Sequence, residues 1–228
     1  MGTNGILIPP DGYIQGVREI CTRNNILMVA DEVMAGFGRT GRWFAIDHWD
    51  TVPDLMTMAK GLTSSYLPLG AVAMRHGIAE HFEKNYYYGG LTYSSHPVSL
   101  AAALATISVY EEDGLLERTT RLGAVMRAHH EALQAKHPSV GSIRNLGLFG
   151  ILDLVRSREP YVPLTPFNGT SDEMKAISAY LREHHLYTMV SNNSIHTNPP
   201  LTISEDELAQ GFAIIDGALE IADRAVRA

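Results

Sequence analysis

Apolar positions along the first 75 residues change period more than once. Tyr13, Val17, Ile20 and Cys21 recur at helical spacing after the turn cluster Pro9-Pro10-Asp11-Gly12, and Asn24-Asn25 closes that helix. Residues 26–30, Ile-Leu-Met-Val-Ala, are apolar without alternation, which predicts a strand buried on both faces. Residues 36–42 form a glycine-rich loop. Pro53-Asp54 leads into a second buried strand over 55–59, and Leu69 to Met74 gives a third. Strand, loop and helix alternate as in a mostly parallel α/β sheet.

The remainder reads differently. Gly89-Gly90-Leu91-Thr92-Tyr93-Ser94-Ser95-His96-Pro97 is a turn with proline placed for a first helical position. An alanine-rich helix over Ser99 to Tyr110 follows and breaks at Asp113-Gly114. A long helix from Leu115 to Lys136 suggests a connector. Beyond Pro138, two strands surround Gly147 and Gly150, 156–170 is a loop, 172–185 a helix, 186–190 and 194–203 short strands, and 205–226 a closing helix. The predicted organisation is a domain over 1–114, a connecting helix over 115–137 and a small α/β domain over 138–228.

The composition narrows the function classes. Of 228 residues, 25 are acidic and 18 basic, a net charge of −7, so no basic excess exists to neutralise nucleic-acid phosphates. One cysteine, Cys21, can form neither an internal disulfide nor a cysteine metal cluster, which fits a reducing, cytoplasmic setting. No apolar run approaches the ~18 residues of a membrane span. Met1-Gly-Thr-Asn-Gly lacks the basic and apolar regions of a signal peptide.

Three residues then stand out. Asp31 and Lys60 each end an apolar strand, and in open parallel sheets that edge is where ligands bind. A lysine carried on a buried strand is costly to keep charged, which favours the neutral amine of Schiff-base chemistry. An aspartate nearby is what the ring nitrogen of pyridoxal phosphate (PLP) needs. Thr92 lies in a glycine-rich turn before a helix, where hydroxyl and N–H groups hold phosphate. Each has an ordinary reading too: a cap or turn former for Asp31, a snorkelling side chain for Lys60, a turn residue for Thr92. Periodicity leaves both readings open.

The segments Ala30-Asp31-Glu32-Val33-Met34-Ala35-Gly36-Phe37-Gly38-Arg39-Thr40-Gly41, Pro53-Asp54 through Lys60-Gly61, Pro68-Leu69-Gly70-Ala71 and Gly90 through Pro97 resemble the signature of class III PLP-dependent aminotransferases. Asn198-Pro199-Pro200-Leu201-Thr202-Ile203 resembles the family's closing strand. The resemblance implies the PLP-dependent fold type I, aspartate aminotransferase-like, with part of the large domain and the small carboxyl-terminal domain, in a homodimer. It implies that Asp31 pairs with the pyridine nitrogen, Val33 packs on the ring, Lys60 bonds the cofactor aldehyde and moves protons, and Thr92 binds the phosphate of the opposite subunit's cofactor. Arg39 would shape a loop near the site or the dimer contact, or stand as a solvated loop arginine. His48, His96 and His196 lack metal-ligand spacing and are expected to satisfy local hydrogen bonds.

The chain also departs from the family. It resembles only the second half, so the glycine-serine phosphate loop and the aromatic that covers the other ring face lie elsewhere. Ser64-Ser65 stands where relatives often carry glycine. Residues 186–198 contain no arginine, and Ser191 and Asn192 lie about where relatives clamp a carboxylate. The expected donor is therefore an ω-amino acid or amine, with pyruvate as acceptor. The alternatives are other PLP chemistry on this fold, an aminomutase or decarboxylase, or an inactive domain that only dimerises.

Overall fold

The computed structural model describes residue 2 and residues 4–226, and the chain divides into two compact units. The first comprises residues 1–2 and 9–118, the second residues 3–8 and 119–228.

In the first unit, helix α1 (Tyr13–Arg23) precedes strand β1 (Val29–Asp31), followed by β2 (Leu55–Met58) and β3 (Ala71–Met74). The sheet order is β1-β2-β3. β1 and β2 run parallel with Asp31 opposite Thr57, whereas β2 and β3 run antiparallel. The expected mostly parallel sheet is thus one parallel and one antiparallel pair. Expected double-sided burial is also absent: Ala30 is buried, but Val29 is 56% exposed and Ile26 and Leu27 lie open to solvent. Within this unit the sheet has cover for only part of its apolar surface.

Asp54 ties the amino ends of the strands together. Its Oδ2 accepts the Met28 N–H at 2.7 Å and an Arg18 Nη1–H from α1 at 2.6 Å. Helix α2 (His76–Lys84) follows β3, and the loop after it enters α3 (Pro97–Glu112). Pro97 takes the first helical position, and the His96 ring caps the helix by accepting the Val98 N–H. α3 is apolar on every face. It buries Ser99, Ala103 and Tyr110 but exposes Val98, Leu100, Leu104 and Val109.

The division between the units falls within α4 (Leu115–Lys136). The second unit then holds β4 (Val140–Leu146), β5 (Phe149–Ser157), β6 (Val162–Pro163), α5 (Asp172–Glu183), β7 (Val190–Ser191), β8 (Ser194–Thr197) and α6 (Glu205–Asp223). Its sheet runs β4-β5-β8-β7, antiparallel throughout, with β6 paired to β5. α4 buries Leu122, Met126, His130 and Leu133 at helical spacing, and α6 buries Leu208, Phe212, Ile215 and Leu219. A β-carbon on Gly123 of α4 would meet the Gly147 Cα at 2.6 Å, so glycine here lets helix and hairpin backbones touch. Ser204 and Glu207 form a reciprocal cap at the start of α6. Just past α4 the His137 ring, 2% exposed, sits between two α6 carboxylates. Nδ1 lies 2.6 Å from Asp223 and Nε2 3.0 Å from Asp216. Ser139 donates its N–H and hydroxyl to the other Asp223 oxygen.

Candidate active site

Parallel pairing of β1 and β2 places their carboxyl ends on one edge of the sheet. Asp31 is the last residue of β1, and Lys60 follows three residues after Thr57, the partner of Asp31 across the ladder. The structure therefore brings Asp31 and Lys60 to the same sheet edge, where ligands gather in such sheets.

Asp31 is exposed, and its Oδ1 accepts two hydrogen bonds. One comes from the Val33 N–H at 3.0 Å, the other from the Thr57 hydroxyl at 3.2 Å. The first is the turn-forming bond that the ordinary reading of Asp31 foresees; the second reaches across the sheet. Val33, half-buried, begins the turn and is tied to Asp31 through its backbone. Because successive strand side chains point to opposite faces, the doublet Asp31-Glu32 splits. Glu32 is 3% exposed, and its two oxygens accept the N–H groups of Ala45 and Ile46 at 3.0 and 2.8 Å. Burial pushes its carboxyl above the usual range, while these two bonds pull the other way. Glu32 thus clamps the segment after the glycine-rich loop to the end of β1.

Lys60 opens a 3₁₀ turn, Lys60–Leu62. Its φ of 43° lies in the left-handed region, which costs a non-glycine residue roughly 1–2 kcal/mol. Strain of this kind gathers at functional sites, where surroundings enforce it. The side chain itself is exposed, so the burial invoked for a neutral amine is not present around Lys60. The strand that delivers it is half-buried rather than buried.

The residue after the lysine is fixed by packing. A β-carbon on Gly61 would stand 2.7 Å from Phe37 Cβ and 3.3 Å from the Tyr110 hydroxyl. Phe37 packs edge-on against Phe44, and Tyr110 stands edge-on to Trp43 at 5.8 Å. Tyr110 donates its hydroxyl to the Gly61 carbonyl at 2.9 Å. Arg39 is half-buried within electrostatic reach of Tyr110, not a solvated loop arginine. Thr57, Glu32 and Tyr110 escaped the sequence reading. Only Glu32 left a signal, as the second acid of a strand-end doublet.

Thr92 is exposed in the turn before α3, where Ser94 closes the loop with Leu91. No hydrogen bond joins it to Asp31 or Lys60 among the described residues. Tyr110, at the Lys60 turn, lies 13 residues along α3 from Pro97, about 20 Å at 1.5 Å per residue. The Thr92 loop leaves from the far end of that helix.

His48 bonds Thr40 and His96 caps α3, as local roles require. His196 is buried, and its Nδ1 has no partner among the described residues. In the second unit, Ser191 and Asn192 line a groove of about 470 Å³ with Lys175 and Arg182. No helix among the described residues is long and apolar enough to cross a membrane.

Comparison with known proteins gives this geometry a setting. The family model described as aminotransferase class-III matches residues 1–219. The putrescine–pyruvate aminotransferase of Pseudomonas aeruginosa is 34% identical over 232 residues, covering 100% of this chain and 49% of the relative. The omega-aminotransferase of Caulobacter vibrioides is 38% identical, covering 91% and 46%. Among solved structures, the taurine:2-oxoglutarate aminotransferase from Bifidobacterium kashiwanohense, in complex with PLP and glutamate, superposes with a TM-score of 0.95. It shares 36% identity and covers 98% of this chain and 50% of its own. The chain spans about half the length of the curated relatives it matches.

Proposed function

Since this chain belongs to the class-III aminotransferase family, we propose that it carries the lysine-bearing part of a PLP site. That site moves an amino group from an ω-amino acid or amine to a keto acid, pyruvate first. The observation that supports it most is the placement of Asp31 and Lys60 at the carboxyl ends of paired parallel strands. The donor set fits the cofactor: a carboxylate for the ring nitrogen and, three residues past the neighbouring strand position, a primary amine for the aldehyde. When bound, PLP supplies an electron sink through which nitrogen passes from donor to acceptor.

Asp31, its Oδ1 steadied by Val33 and Thr57, holds the proton on the ring nitrogen. Val33 packs against one ring face. The Lys60 amine would hold the cofactor through its aldehyde group, with loss of water, and when free would serve as the proton carrier of the site. Thr92 hydrogen-bonds a cofactor phosphate. Its loop departs from the end of α3 opposite Lys60, which supports a role in the second subunit's site and hence a homodimer; the single cysteine supports a reducing, cytoplasmic setting.

Absence of arginine from 186–198 favours donors whose acid group lies away from the reacting amine, because serine and asparagine cannot replace a guanidinium fork. The test is a donor panel of β-alanine, taurine, an arylalkylamine and glutamate, run with pyruvate and with 2-oxoglutarate on the intact protein. Catalytic efficiency should rank glutamate last and pyruvate above 2-oxoglutarate. Glutamate ranking first would reject the donor reading. Full turnover by Lys60→Ala would reject the site.

A further inference from the structure

Lys60 adopts a backbone conformation that a lysine does not choose for itself, with φ at 43°. Two of the backbone hydrogen bonds within the turn are long. Thr63 N–H reaches the Lys60 carbonyl at 3.3 Å, Ser64 N–H the Gly61 carbonyl at 3.3 Å, and Leu62 N–H the Ala59 carbonyl at 3.0 Å. Such a turn needs support from outside. That support comes from α3. Tyr110 is 7% exposed, and its hydroxyl donates to the Gly61 carbonyl at 2.9 Å across 49 residues of sequence. Its ring is held by Trp43 at 5.8 Å and Phe37 at 6.2 Å. Phe37 closes the other side of Gly61, leaving no room for a β-carbon.

We infer that Tyr110 is a positioning residue for Lys60: through the Gly61 carbonyl it fixes the left-handed turn that sets the direction of the lysine side chain. The inference rests on the role proposed above for Lys60. Tyr110 does not meet the reacting atoms. Burial pushes its hydroxyl above the ordinary phenol range, so the group remains a donor throughout the working pH range. The Gly61 carbonyl belongs to the peptide that follows the one leaving Lys60 and accepts the Ser64 N–H at 3.3 Å as well, so the shorter Tyr110 bond anchors the turn one peptide plane beyond the lysine. Glycine at 61 lets the two rings come close enough for the bond to form.

The test is Tyr110→Phe, which keeps the ring and removes the hydroxyl, set beside Trp43→Phe, which loosens the same cluster without touching the bond to Gly61. In the cofactor-free protein, Tyr110→Phe should speed hydrogen exchange at the amides of Leu62, Thr63 and Ser64. In the PLP-loaded protein it should lower kcat about ten- to hundredfold, the range expected for a displaced reacting group, with KM nearly unchanged. It should also shift the pH midpoint of the bound cofactor's absorbance. Trp43→Phe, which keeps the hydroxyl bond, should lower the unfolding midpoint, with a much smaller loss of kcat than Tyr110→Phe and the absorbance midpoint in place. Equal effects of the two variants would reduce Tyr110 to a packing residue and overturn the inference. So would wild-type exchange, kcat and absorbance in Tyr110→Phe. Lys60→Ala separates the two levels: if it keeps turnover, the proposed site fails; if it abolishes turnover while Tyr110→Phe is silent, only the inference fails.

Discussion

Replacing Asp54 tests whether one carboxylate organises the first unit. Asp54→Ala removes three things at once. The charge-assisted bond to Arg18, at 2.6 Å between side chains 19% and 12% exposed, contributes about 1.5–3 kcal/mol. The Met28 N–H, bonded at 2.7 Å, is left without its acceptor, a cost of about 1–3 kcal/mol. The approach of Arg75, at 3.5 Å and half exposed, adds little. The expected loss is about 3–5 kcal/mol, a large share of the ~5–15 kcal/mol by which domains are stable. Asp54→Asn keeps an oxygen for Met28 and loses the charge, so about 1–2 kcal/mol should go. The pH dependence follows from the carboxyl's position below its ordinary range, held there first by the Met28 N–H and then by Arg18. A depressed folded value means stability present above the unfolded value, about 4, and lost as pH falls through the folded one. The gap between wild type and Asn should therefore be full at pH 6 and close progressively below pH 4. Both tryptophans, Trp43 and Trp49, lie in the first unit, so fluorescence-monitored urea unfolding reads that unit alone. An Ala loss under about 1 kcal/mol, or a gap independent of pH, would refute the reasoning.

Gly123→Ala should destabilise the second unit despite a gain of about 1 kcal/mol in helix propensity, because the new methyl meets the Gly147 backbone rather than a movable side chain; circular dichroism showing a higher midpoint would contradict this. His137→Ala should cost about 2 kcal/mol and release amide protection around 216–223 in α6, both absent if the carboxylates re-pair elsewhere. Asp31→Asn should retain the turn bond to Val33 and the unfolding midpoint while kcat falls about 100-fold or more; a stability loss at full activity would make Asp31 a turn former only.

Much of this arrangement can be read from sequence, and what cannot be read has a physical cause. Apolar runs located β1 and β2, and α3 starts at Pro97, the position its proline predicts. Pattern does not encode strand direction, so the antiparallel return of β3 stayed hidden. The same runs overstated burial: Val29 carries the side chain of a strand covered on both faces, yet lies 56% exposed within a chain about half as long as its relatives. Asp31 and Lys60 were legible because each ends an apolar run. Thr57 was not, since its role depends on the register that sets it opposite Asp31. Tyr110 acts on a residue 49 positions away, and no local signal can carry such a contact.

The pairing of His137 with α6 has a consequence in time. Asp216 and Asp223 follow His137 by 79 and 86 residues. At about 5–20 residues per second, a ribosome needs about 4–17 seconds to go from that histidine to its second carboxylate. The β4–β5 hairpin, joined through Gly147 and Leu148, can form early in that interval from neighbouring residues. His137 and Ser139 meanwhile have no anion to bind. Closure of the second unit therefore waits for its last helix, and a nascent chain interrupted before Asp216 is left with a solvent-seeking imidazole where the finished unit has a buried one.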